Sequence, residues 1–84
     1  MSKFKYNLAV IGLGYVGLPL AIEAANSKLK VAGYDINESL VDSLNKSTSH
    51  VEDISDKVLH DAISKDLLFT SDSSVLGDSE YIVI

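Results

Sequence analysis

The stretch VIGLGYVGLPLA, Val10 to Ala21, sets Gly12, Gly14 and Gly17 within six positions, straight after an apolar run. Glycine inside a helix costs up to about 1 kcal/mol against alanine. Three of them at a helix start therefore need a reason that helix propensity does not supply.

The flanks give the context. Tyr6 to Ile11 is a short apolar, partly β-branched run closed by glycine, and predicts a buried strand. After the glycines, Val16, Leu20, Ala21, Ala24 and Ala25 share one helical face, with Glu23 and Asn26 off it. Pro19 falls within the first turn, where amide hydrogens lack partners inside the helix. Leu29 to Tyr34 predicts a second strand, ending in Asp35. Asn37 is a suitable N-cap for a helix over residues 38–45, with Leu40, Val41 and Leu44 inward. Ser55 or Asp56 caps a further helix through about Ser64, with Val58, Leu59, Ala62 and Ile63 on its apolar side. Leu67 to Thr70 is a third strand, Val75 and Leu76 a short helical turn, and Tyr81 to Ile84 a fourth strand. Strands alternating with helices imply parallel pairing through right-handed crossovers. The fold class is α/β, a Rossmann-type doubly wound parallel sheet, truncated after about four strands.

In that setting each glycine has a task. Gly12 permits the tight turn out of the strand, Gly14 lets a pyrophosphate approach bare backbone, and Gly17 allows the helix to pack closely on the sheet. Free amides and the positive end of the helix dipole then favour the phosphates. Asp35, 18 residues after Gly17 at the end of the second strand, stands where an acidic side chain accepts the adenosine ribose hydroxyls. A carboxylate also repels a 2′-phosphate, and no arginine follows it within ten residues. The expected cofactor is NAD rather than NADP.

Composition narrows the rest. The 84 residues carry 7 Lys and 12 Asp plus Glu, a net charge of −5, without a basic cluster. That excludes the positive face that nucleic-acid binding requires. There is no cysteine, hence neither disulfide nor thiolate metal site. No apolar stretch nears the roughly 20 residues of a membrane span, and no leader is legible, so a cytoplasmic location is expected. The chain stops inside an apolar strand, which suggests the first piece of something longer.

With GYDIN and the Glu80–Ile84 strand added, the VIGLGYVGLPLA segment resembles the N-terminal NAD-binding domain of the UDP-glucose/GDP-mannose dehydrogenases over nearly the whole chain. Its most specific part is Gly14-Tyr15-Val16-Gly17-Leu18-Pro19. The segment Ser49-His50-Val51-Glu52-Asp53-Ile54 resembles the branch acting on UDP-N-acetylhexosamines, notably UDP-N-acetylglucosamine 6-dehydrogenases. The resemblance implies an enzyme that oxidises the C6 alcohol of a UDP-sugar, a UDP-N-acetylhexosamine or UDP-glucose, to a carboxylate with two NAD, for surface polysaccharide synthesis. It implies Gly12, Gly14, Tyr15, Val16 and Gly17 as the pyrophosphate loop and Asp35 as the ribose ligand. It implies a catalytic cysteine and lysine downstream, so no catalytic residue is expected within residues 1–84, a partial NAD-binding domain. The nucleotide-sugar substrate and a homodimer contact would belong to the missing region. One departure stands at Leu40, where many members carry a basic residue beside the ribose.

Two alternatives share this opening: a β-hydroxyacid or 6-phosphogluconate-type dehydrogenase, and a non-catalytic nucleotide-sensing module. Of the remaining polar residues, His60 reads as an exposed helix residue. His50 and Glu52 read as loop residues that could approach a nucleotide or partner domain. Glu52, Asp53 and Asp56 read as acids at a helix start rather than a cation site. No metal site is expected.

Overall fold

The computed structural model describes residues 4–84. In chain order it contains β1 (Tyr6–Ile11), α1 (Gly17–Asn26), β2 (Val31–Tyr34), α2 (Glu38–Asn45), α3 (Asp56–Ile63), β3 (Leu67–Thr70), α4 (Ser74–Gly77) and β4 (Ser79–Val83). The strands form one parallel sheet in the order β3-β2-β1-β4. The Rossmann-type α/β architecture expected from the sequence is therefore the one observed.

The register places the carboxyl ends of all four strands along one edge. Ile11 is level with Tyr34, Tyr34 with Thr70, and Val10 with Val83. The chain steps outward from β1 to β2 and β3, then returns past β1 to β4. Right-handed crossovers put helices on opposite faces when the direction of travel reverses. The packing follows this rule. Residues of α1, α2 and α3 join Val10, Val31, Leu67 and Phe69 in the main core. Val75 of α4 lies with Ala9 and Ala32 on the other face.

Local chemistry explains the helix starts. Asn37 Oδ1 accepts from the Leu40 amide at 3.1 Å, and Ser55 Oγ accepts from the Val58 amide at 3.1 Å. Such caps each contribute about 1 kcal/mol. Glu38 and Asp56 add a negative charge in the first turns of α2 and α3.

Four details differ from the sequence expectation, the simplest being that β4 runs Ser79–Val83 rather than Tyr81–Ile84. The buried face of α1 is Leu18, Ala21, Ile22, Ala24 and Ala25. Val16 is 81% exposed and Leu20 37% exposed. The helix begins only at Gly17, so Val16 still belongs to the loop, and the Leu18/Ile22 pair, four residues apart, turns inward. β2 starts at Val31 rather than Leu29, because Lys28 adopts a left-handed φ of 68° and leaves Leu29 exposed. In α3 only Leu59 and Ala62 are buried, whereas Val58 faces solvent.

Candidate functional site

Where β1 ends, the backbone turns through Gly12 with φ +90°, a conformation L side chains rarely adopt. The Gly12 amide donates to the Tyr34 carbonyl at 2.9 Å, tying the turn to the end of β2. A Cβ on Gly17 would stand 1.7 Å from the Gly12 carbonyl oxygen. The close approach that requires glycine at 17 is thus between the helix start and the glycine turn itself, rather than chiefly with the sheet. Gly14 is the opposite case: a Cβ there would meet nothing within 4 Å.

The start of α1 is unlike those of α2 and α3. It has no side-chain cap and no acidic residue in its first turn. Among the described residues, the amides of Gly14, Tyr15, Val16 and Gly17 donate to no protein group. Four unused donors at the positive end of a helix are a feature that favours negative charge. A hollow of about 370 Å³ opens beside them, lined by the glycine loop, Leu20, and Val83 and Ile84 at the end of β4. It lies between β1 and β4, the point at which the strand order reverses and where open α/β sheets bind ligands. Tyr15 is 76% exposed on its rim and does not pack on the sheet.

Asp35 sits at the tip of β2, its amide bonded to the Thr70 carbonyl at 3.2 Å. Its Oδ2 accepts from the Leu13 amide at 3.0 Å and its Oδ1 from the Asn37 amide at 2.9 Å. The carboxylate therefore faces the glycine loop. Each oxygen retains capacity for a further donor, since an ionised carboxylate offers about four acceptor positions. Leu13, fully buried, anchors the loop in the core.

A third element reaches the loop. His50 Nε2 lies 2.6 Å from the Leu13 carbonyl oxygen, across 37 residues of sequence. Reading His50 as a plain loop residue missed this contact, and only the likeness of residues 49–54 to a family loop pointed toward it. Glu52 and Asp53 are exposed outside this arrangement, while Asp56 Oδ1 accepts from the Ser49 amide at 2.8 Å. His60 is exposed, with Nδ1 3.3 Å from Ser47 Oγ. Among the described residues no group of three His, Cys, Asp or Glu side chains could hold a metal ion.

A second hollow, about 260 Å³, lies at the other end of the sheet among Lys5, Lys30, Lys65 and Asp66. Lys30 and Lys65 follow α1 and α3 in the chain, on the side where positive charge offsets a helix dipole. Lys65 Nζ donates to Asn26 Oδ1 at 2.6 Å.

The pattern that defines the UDP-glucose/GDP-mannose dehydrogenase family, NAD binding domain, matches residues 6–84. The chain belongs to this family. The matched segment is the family's NAD-binding domain, so the cofactor is NAD. The chain is 37% identical over 78 residues to Protein CapL of Staphylococcus aureus, covering 93% of this chain and 18% of that protein. Its fold is similar to the solved UDP-N-acetyl-D-mannosamine dehydrogenase of Pyrococcus horikoshii, with a TM-score of 0.81, 36% identity, and coverage of 93% and 19% of the two chains. It also resembles a GDP-mannose dehydrogenase of Pseudomonas aeruginosa, with a TM-score of 0.77, 26% identity, and coverage of 93% and 19%. The chain thus spans under a fifth of the length of these relatives. No helix among the described residues is long and apolar enough to cross a membrane.

Proposed function

We propose that Gly12, Gly14, Tyr15, Val16 and Gly17 form the pyrophosphate site of NAD, with Asp35 accepting the adenosine ribose hydroxyls. One observation carries this reading: the unused amides of residues 14–17 line a hollow at the switch point, with the Asp35 carboxylate turned toward the same loop. Backbone amides attract the phosphates without a basic side chain, which suits a chain of net charge −5. The same carboxylate disfavours a ribose 2′-phosphate, and Leu40 leaves ribose recognition to Asp35.

The full-length protein, on this reading, is a nucleotide-sugar dehydrogenase that takes a UDP-N-acetylhexosamine from C6 alcohol to carboxylate. NAD held by the residue 12–17 loop and Asp35 would supply the hydride acceptor, one molecule for each of the two oxidations. The sugar most consistent with the Pyrococcus relative's name is N-acetyl-D-mannosamine, a UDP-N-acetylhexosamine other than the N-acetylglucosamine expected from residues 49–54. Residues 1–84 supply part of the cofactor domain, while the thiolate chemistry, the sugar site and a homodimer contact belong to other parts of the protein. The family match replaces the hydroxyacid-dehydrogenase alternative.

Calorimetric titration of the full-length protein with NAD, NADP and ADP-ribose tests the site. NAD and ADP-ribose bind, NADP binds more weakly, and Asp35→Ala loses affinity for both NAD and ADP-ribose. Equal NAD affinity in Asp35→Ala and the unaltered protein removes Asp35 from the site. NAD binding without NADH production from any UDP-sugar makes the protein a sensor rather than an enzyme.

A further inference from the structure

We infer that His50 is a positioning residue for the pyrophosphate loop, acting through the Leu13 carbonyl; the inference rests on the NAD site proposed above. A carbonyl oxygen can only accept, so Nε2 carries the proton and donates at 2.6 Å. The peptide joining Leu13 to Gly14 is trans, because the described chain has no cis bond. In a trans peptide the carbonyl and the next amide hydrogen point in opposite directions. His50, holding the Leu13 carbonyl on its own side, therefore turns the Gly14 amide hydrogen to the opposite side. Nothing stands within 4 Å of a Cβ placed on Gly14, so the backbone there is open. The Gly14 amide is one of the unused donors of the site.

The peptide on the other side of Leu13 is also held, by Asp35 Oδ2 on the Leu13 amide. Asp35 and His50 thus fix two successive peptide planes, and between them they set the direction of the loop. His50 is suited to this because its own segment is fastened on both sides. Val51 is buried in the main core, and the Ser49 amide is held by Asp56 Oδ1 at 2.8 Å. Ser49 Oγ closes the segment further, donating to the Val51 carbonyl at 3.0 Å. The imidazole, on an exposed residue, reaches the loop from a segment held at Ser49 and Val51.

The test uses the full-length protein with His50→Leu and His50→Gln, whose side-chain amide can donate from a place close to that of Nε2. The readouts are the NAD dissociation constant and the KM values for NAD and for UDP-N-acetylmannosamine. His50→Leu raises the NAD constants on the order of three- to tenfold, the scale of one lost hydrogen bond. His50→Gln restores them to within about twofold, and the sugar KM is unchanged in both. Unaltered NAD constants in His50→Leu overturn the inference and leave the NAD site standing. Equal losses in the Leu and Gln variants, or a parallel rise in sugar KM, overturn it as well. Failure of the unaltered protein to bind NAD overturns the site, and this inference with it.

Discussion

Gly17→Ala isolates the demand that the turn and the helix make on one another. The new Cβ would stand 1.7 Å from the Gly12 oxygen and 2.9 Å from the Gly12 carbonyl carbon. Ordinary contact begins at 3.4 Å, so the helix start and the turn must part by about 1.7 Å. Overpacking costs about 1–3 kcal/mol, and the upper end applies where both partners are backbone and no rotamer can swing clear. Alanine returns at most about 1 kcal/mol of helix propensity. The net expectation is a loss of about 2 kcal/mol, read as a lowered urea-unfolding midpoint of the full-length protein's cofactor domain. Gly14→Ala is the control. Its Cβ meets nothing, and its φ is not left-handed, so stability is unchanged or rises by up to about 1 kcal/mol. NAD affinity falls in Gly14→Ala on the order of tenfold, because the methyl group occupies the approach to the amides. A Gly17→Ala protein as stable as the unaltered one refutes the close-approach argument. A Gly14→Ala protein that binds NAD normally refutes the ligand argument.

Other outcomes follow from particular contacts. Asp35→Ala strips the buried Leu13 amide of its acceptor and destabilises by about 1–3 kcal/mol, while Asp35→Asn keeps one acceptor oxygen and loses less; thermal unfolding of both variants checks the order. Asn37→Ala removes the α2 cap and costs about 1 kcal/mol, measurable by urea unfolding. Gly33→Ala crowds Phe69 Cδ1 at 2.9 Å and Leu13 Cδ2 at 3.0 Å, so it lowers the unfolding midpoint and, through Leu13, weakens NAD binding. The Ser74 backbone and side chain bond to Asp72 and hold its carboxyl below the ordinary aspartate value. An NMR titration therefore gives a low midpoint. Its small stabilising effect is present above the unfolded-state value and is lost as pH falls through the folded one.

Much of this arrangement is legible in the residue order because it depends on local periodicity. The apolar run closed by Gly12, the Asn37 and Ser55 caps, and the polar break at residues 46–49 each announce an element from within a few residues. The depth of α1 is less legible. Val16 and Leu20 fit a helical stripe as well as Leu18 and Ile22 do, and only the tertiary approach of Gly17 to Gly12 decides the rotation. The start of β2 is obscured because Leu29 is apolar yet follows a left-handed Lys28. Of the site, the glycines and Asp35 are readable because backbone freedom and charge leave signatures in residue type. Gly33 leaves none, and His50 leaves only the likeness of its loop to a family segment. One is defined by Phe69 and Leu13 side chains that fold over it, the other by a carbonyl 37 positions away.

Leu13 has its amide, its carbonyl and its side chain all committed before any ligand arrives. A loop anchored at that residue has less motion left to freeze, so part of the entropy of ordering falls on the fold and not on the complex. Association with NAD should accordingly proceed in one kinetic phase. Its rate should rise in proportion to cofactor concentration, with no slower rearrangement behind it.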